Sequence, residues 1–345
     1  MKKIRAFVII SAMTLSLVAC GNNEESAKAT LNENVTAREG KTEETTESAA
    51  EDFAYNLGNA EAAAYENVTV RETETEETTE LPVEIVEPAA EDFVYSYDAV
   101  LKGIKITGYT GEAEAIRIPA EIDGDPVKEI GDGVSLGGFS TTQVVEIPSG
   151  VTSIGGRAFD GCYSLTKISI PSSVTSIGDD AFANCSSLAE ISIPDSVTSI
   201  GDSAFYWCSS LAEVSIPDSV TSIGHIAFFC CTSLAEVSIP SSVTSIGDGA
   251  FYGCSSLTRI SISDGVTSIG GSAFYGCSSL TEINIPDSVT SIGMNAFEGC
   301  TSLRNLNIPD SVTIQPGAFW GCDGLTVTYK GQEYTYASKT NWWFY

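Results

Sequence analysis

A 23-residue period constrains this chain more than anything else in it. Cys162, Cys185, Cys208, Cys231, Cys254, Cys277 and Cys300 stand 23 apart, and Cys322 follows after 22. Leu165, Leu188, Leu211, Leu234, Leu257, Leu280 and Leu303 keep the same interval. A fixed period in the twenties predicts a stacked solenoid, in which each unit contacts only its neighbours. Such a rod has long flanks for holding other molecules and no natural place for a single catalytic cleft.

One unit, Leu188 to Ser210, reads LAEISIPDSVTSIGDSAFYWCSS. Ile191 and Ile193 alternate with Glu190 and Ser192, the pattern of a short strand with one face buried. Pro194 lacks an N–H and Asp195-Ser196 favour a turn, so the strand should stop there. Val197 and Ile200 return inward, and Gly201 is expected to make a corner through positive φ. Asp202 or Ser203 could then cap one helical or 3-10 turn carrying Ala204, Phe205 and Cys208. One unit buries too few residues to close a core, whereas stacked units build continuous columns of Leu, Ile, Phe and Cys.

The motif LxxIxIP...VxxIGxxAFxxC resembles the leucine-rich repeat of bacterial surface proteins of the BspA type, related to the treponemal subclass. The resemblance runs from Ile116 to Tyr329. It implies a repeat solenoid, a right-handed superhelix with a parallel sheet on one face and short helical or 3-10 turns on the other. The ends depart from it: Val127–Gly138 lacks the AFxxC core, and Val312–Cys322 is one residue short. Hairpin caps are expected, one pairing Phe93–Tyr97 with Gly103–Gly108 ahead of the first rung at Ile116. The other would pair Val327–Tyr329 with Gln332–Tyr336, and both would cover parallel edges that otherwise invite chain-to-chain pairing.

The start of the chain, Met1-Lys2-Lys3-Ile4-Arg5, is basic, an apolar run follows from Ala6 to Val18, and Leu17-Val18-Ala19-Cys20 closes it. This resembles a bacterial lipoprotein signal, and the resemblance implies that Cys20 carries the lipid and is the only membrane anchor. Residues 21–92 are rich in Glu, Thr and Ala, with 21 acidic and 4 basic residues over Gly21–Val100. Such a composition predicts a disordered linker. Glu33–Tyr55 returns, with an insertion, as Glu66–Tyr95. A spacer is one reading of this duplication, and docking motifs in the AEDF[AV]Y copies are the other. The chain therefore divides into a signal (1–20), a linker (21–92), an N-terminal cap with a degenerate repeat (93–146), regular repeats (147–325) and a C-terminal cap (326–345).

Periodicity argues against a disulfide framework, because a Cys at the same inward place in every rung acts as a small apolar filler. Cys230 breaks the pattern: it should point outward as an exposed thiol, a vicinal disulfide with Cys231 being strained. No metal and no cofactor are expected, since 23-residue spacing is not a ligand pattern and His225 is the only histidine. His225 stands where Asp202 and Asp248 stand and reads as a solvent-facing substitution. Asp195, Asp218, Asp264, Asp287 and Asp310 are too sparse for calcium and read as turn caps. A net charge of −29 leaves no basic stripe for nucleic acid. No Ser–His–acid or paired-carboxylate constellation stands apart from the repeat, so no enzyme is expected.

Two columns are candidate binding surfaces. On the strand face Lys167, Glu190, Glu213, Glu236, Arg259 and Glu282 point outward, beside a second column of Ser and Asn. On the turn face Tyr206, Phe229, Tyr252 and Tyr275 align, with Trp207 adjacent. These read equally as a recognition stripe or as packing between rungs. Trp342-Trp343-Phe344-Tyr345 could grip a sugar or seal the last rung. The resemblance implies adhesion to host or neighbouring-cell proteins, and the alternative is an envelope-anchored module capturing polysaccharide or peptidoglycan.

Overall fold

The computed structural model describes residues 84–131 and 141–335. Within them the chain winds as a leucine-rich-repeat solenoid, and each rung meets the next along three lines. The first is the Ile-x-Ile strand. It occupies ten parallel positions in three hydrogen-bonded ladders: Ala115–Arg117 to Lys167–Ser169, Glu190–Ser192 to Glu282–Ile283, and Asn305–Asn307 with Thr326–Tyr329. Alternation does what the sequence says, for Ile191 is buried while Glu190 and Ser192 are exposed.

The second line is a parallel sheet that the sequence reading missed. Ser153–Ile154, Ser176–Ile177, Ser199–Ile200, Ser222–Ile223 and their successors to Thr313–Ile314 pair in register. Each strand is two residues long, its Ile buried and its Ser outward, except at the end strand Thr313–Ile314, where Ile314 is half-buried. Gly201, expected to need positive φ, does not adopt it. Its role is close approach, since a Cβ there would lie 2.6 Å from the Gly178 carbonyl carbon. Side chains reinforce the ladder: Thr198 Oγ1 donates to Thr175 O at 3.3 Å, and Ser196 Oγ donates to Val174 O at 2.5 Å. The Asp residues read as turn caps are exposed and accept no hydrogen bond among the described residues. The neighbouring serine ties this corner to the preceding rung.

The third line is the turn. Tyr206 N–H bonds to Ser203 O and Cys208 N–H to Phe205 O, successive i to i+3 bonds of the 3-10 kind. Phe205 N–H instead reaches forward to Ala227 O at 2.7 Å. Left-handed residues bracket the turn, Ser203 at φ 56° and Trp207 at φ 60°. Glycine fills the second of these places at Gly253, Gly276 and Gly299, so Trp207 holds a backbone that most side chains disfavour.

The caps sit on different sheets. The C-terminal hairpin forms as expected, Thr326–Tyr329 pairing antiparallel with Gln332–Thr335 beside Asn305–Asn307. The N-terminal hairpin, Phe93–Asp98 with Gly103–Tyr109, covers the Ser-Ile sheet and not the Ile-x-Ile sheet. The Ile-x-Ile sheet begins at Ala115–Arg117, where Val86 makes a parallel bridge to Ile116. With two parallel sheets there are two edges to cover, and one hairpin can serve only one of them.

Between these lines runs the core. Phe159, Phe182, Phe205, Phe228, Phe251, Phe274, Phe297 and Phe319 form one stacked file with centroids 5.1–5.6 Å apart. The cysteine file lies beside it, free and buried from Cys162 to Cys322. Each thiol from Cys185 onward donates to the Phe carbonyl of the rung before, as Cys208 Sγ does to Phe182 O at 3.1 Å. Cys therefore fills space and also satisfies a buried carbonyl. Cys230 differs from expectation: it is fully buried and its thiol is not free. Cys231 remains free, so no vicinal disulfide forms.

Candidate binding surfaces

Strand register puts Glu190, Glu213, Glu236, Arg259 and Glu282 in one exposed column, each opposite the next. Arg259 turns away from the glutamates before it, its Nε lying 3.4 Å from Glu282 Oε2. Both partners are more than half exposed, so the pair contributes little stability. Glu190, Glu213 and Glu236 have no ion-pair partner among the described residues. Like charges directly opposite one another are unfavourable in a sheet. Lys167 is exposed but stands opposite Val144 in the preceding ladder, which is not hydrogen-bonded to the Glu190 strand. The bracketing of three carboxylates by Lys167 and Arg259 is thus positional, without a salt bridge at either end. A further exposed pair that the sequence reading did not single out, Arg117 Nη2 to Glu146 Oε2 at 2.7 Å, lies in the adjacent column.

On the turn face, Tyr206, Phe229, Tyr252 and Tyr275 stack ring on ring at 5.0, 4.6 and 4.5 Å, with interplanar angles of 19°, 10° and 2°. All four are half-buried, and neighbouring rings cover each other's faces. Burial, with Tyr275 alongside, pushes the Tyr252 phenol up to about 12. Trp207 leaves the file, its ring 6.2 Å from Tyr206 and tilted by 53°.

A third column emerges only from the structure. Asp179 Oδ1 accepts Asp202 N–H at 2.9 Å, Asp202 Oδ1 accepts His225 N–H at 2.7 Å, and Asp248 Oδ1 accepts Gly271 N–H at 2.7 Å. His225 keeps this chain intact: its Nδ1 accepts Asp248 N–H at 3.2 Å. The side chain is exposed, as expected, but it substitutes for Asp as an acceptor. Together with Ser199, Ser222 and Ser245 these residues line an open groove of about 500 Å³. Among the described residues no three His, Cys, Asp or Glu side chains are placed to hold a metal ion.

Cys20, the linker up to residue 83 and the terminal Trp342-Trp343-Phe344-Tyr345 lie outside the described residues.

The model of the BspA type leucine-rich repeat region matches residues 128–258 and 198–326. Among solved structures, a Treponema pallidum leucine-rich repeat protein (TpLRR) is 37% identical over 57% of this chain and 91% of that one, with a TM-score of 0.53. A leucine-rich repeat protein from Bacteroides ovatus is 28% identical over 68% of this chain and 86% of its own, TM-score 0.36. A leucine rich cell surface protein from Faecalibacterium prausnitzii is 29% identical over 70% and 94%, TM-score 0.32. No curated protein matches. The solenoid is a scaffold of the kind found in surface and adhesion proteins. Its repeat motif, its stacked Phe and Cys files and the family match agree: the chain belongs to the BspA-type leucine-rich repeat family.

Proposed function

We propose that this chain is a lipid-anchored bacterial surface protein whose solenoid binds proteins of a host or neighbouring cell through the outward face of its Ile-x-Ile sheet. The observation that carries the reading is the column Glu190, Glu213 and Glu236, exposed, in register and without an ion-pair partner among the described residues, the neighbouring Arg259 being paired with Glu282 instead. An extended basic segment laid along this column relieves their mutual repulsion and gains charge-assisted hydrogen bonds. Lys167 and Arg259 flank the stripe and limit where such a segment can lie. Leucine-rich-repeat solenoids generally mediate protein–protein binding, which supports the same reading. Cys20 at the end of the apolar run supports a lipid anchor.

Binding to immobilised host-matrix proteins and to an oligo-arginine peptide tests the surface. Reversal of Glu190, Glu213 and Glu236 to Lys is expected to weaken both at least about tenfold and to abolish their salt dependence. Unchanged binding after the triple reversal means the strand face is not the site. Palmitate labelling of the wild type, lost in Cys20→Ala, checks the anchor, and an unlabelled wild type removes it. The glycan reading has less support, because the stacked rings offer a sugar their edges rather than open faces. Carbohydrate-array retention that falls with Tyr252→Ala, while charge reversal does nothing, would put glycan capture in its place.

A further inference from the structure

The N-terminal cap strand has a near-copy elsewhere in the chain. Residues 49–55 read AAEDFAY and residues 89–95 read AAEDFVY, so only Ala54 and Val94 differ. In the seated copy the shared residues make the contacts. Ala89 N–H donates to Asp92 Oδ2 at 3.1 Å and closes the 3-10 turn Ala90–Asp92. Asp92 O accepts Thr110 N–H at 2.7 Å. Phe93 is 5% exposed, its ring 5.1 Å from Tyr109. Tyr95 donates its hydroxyl to Asp123 Oδ2 at 2.6 Å. The one difference falls on Val94, which is 53% exposed and therefore contributes little to the fit.

Beyond Tyr95 the copies diverge. Asp98 Oδ1 accepts the N–H groups of Val100 and Leu101 at 2.7 and 3.0 Å and turns the chain back toward Gly103. Gly58 stands at the matching place and cannot do this. The near-copy has what the slot recognises and lacks what makes the tight return.

We propose that residues 49–55 are an alternate N-terminal cap strand, which seats on Gly103–Tyr109 of the same chain when residues 89–95 leave that edge. The resident copy returns through residues 96–102, whereas the alternate one returns through residues 56–102. Loop closure becomes harder with the three-halves power of length, which puts the alternate strand at a disadvantage of roughly 20-fold. It is thus a minor occupant of the intact chain and the major one once the resident strand is weakened further than that. A tether of this length holds the segment at an effective concentration near the millimolar range, which favours the same chain over another. The effect is to keep a sheet edge covered that would otherwise template pairing with other chains.

Hydrogen exchange on the full chain tests this with Phe93→Ala, Phe53→Ala and the double variant. In Phe93→Ala the amides of residues 53–56 are expected to gain protection, while strand Gly103–Tyr109 exchanges only about 20-fold faster than wild type. Phe53→Ala alone should match the wild type. The double variant should expose the edge by roughly a further tenfold, since neither ring fills the slot. If Phe93→Ala fails to fold, Phe93→Val, a smaller truncation that still weakens the resident strand by more than about 20-fold, serves in its place. Residues 49–55 staying unprotected in a folded Phe93 variant overturns the proposal, as does a double variant no worse than the single one. Protection of 49–55 that rises with protein concentration overturns it too, because the strand then comes from another molecule.

Discussion

Raising the pH of the reduced protein past about 9 should unfold it cooperatively, far below the pH at which its thiols ionise in the fold. Burial first, and neighbouring thiols second, push Cys185, Cys231, Cys277 and Cys300 well above the ordinary thiol value. Burial also raises Cys208, and it holds Cys254 up to about 12. In the unfolded chain each thiol ionises near about 8.5. The unfolded state therefore loses its protons first. Stability is fully present below about pH 8 and declines as the pH rises from there toward the folded values. Each thiol contributes a slope of about 1.4 kcal/mol per pH unit, so six together approach about 8 kcal/mol per unit. A domain with a typical margin of about 5–15 kcal/mol is exhausted within about two units. Far-UV circular dichroism followed against pH under reductant, with thiolate absorbance recorded alongside, should show both changing together. Cys254→Ala should reduce the slope by about one sixth and move the midpoint upward. A native spectrum persisting beyond about pH 11 would mean the thiol file does not control alkaline stability.

That result depends on a file of inward cysteines, which was visible in the sequence because one residue type recurred at one interval. The Phe and Leu files and the Ile-x-Ile strands were visible for the same reason. Ser199-Ile200 was not read as a strand, because two residues between a turn and a glycine carry no period of their own. Their pairing exists only once rungs stack, and Gly201 then serves close approach and not a twist of the backbone. The N-terminal hairpin was recognised as a hairpin, but which sheet it covers is a property of the stack. His225 looked like an accident of the surface, and only the ladder from Asp202 to Asp248 makes an acceptor necessary there. For the binding surfaces, alternation gave the outward direction of Glu190, Glu213 and Glu236. Sequence could not show that Arg259 pairs with Glu282 and leaves those three alone. The mutual covering of the Tyr206–Tyr275 rings likewise depends on rung-to-rung distance.

Removing one ring from the middle of the Phe file should weaken more than its own rung. Phe228 is fully buried and stacks on Phe205 at 5.1 Å and on Phe251 at 5.3 Å. Phe228→Ala loses the transfer free energy of the ring and leaves a cavity, about 3–5 kcal/mol in a rigid core. In a solenoid, stability is close to a sum of rung terms and nearest-neighbour interfaces. The substitution strikes two of those interfaces at once, because the lost ring stacks on a neighbour on each side, while the backbone bonds Phe205 N–H to Ala227 O and Phe228 N–H to Ala250 O are left in place. The rungs on either side should then uncouple, and urea unfolding, expected as one transition in the wild type, should split into two with smaller m values. Tyr252→Ala provides the contrast: its ring lies in the outer, half-buried file, so a loss of about 1–2 kcal/mol without splitting is expected. Hydrogen exchange should locate the break, with the amides of Phe205 and Phe228 exchanging together and ahead of those near Phe182 and Phe274. A Phe228→Ala protein that still unfolds in one step with an unchanged m value would show that the rungs are held together chiefly by their backbone ladders, with the aromatic file a passenger.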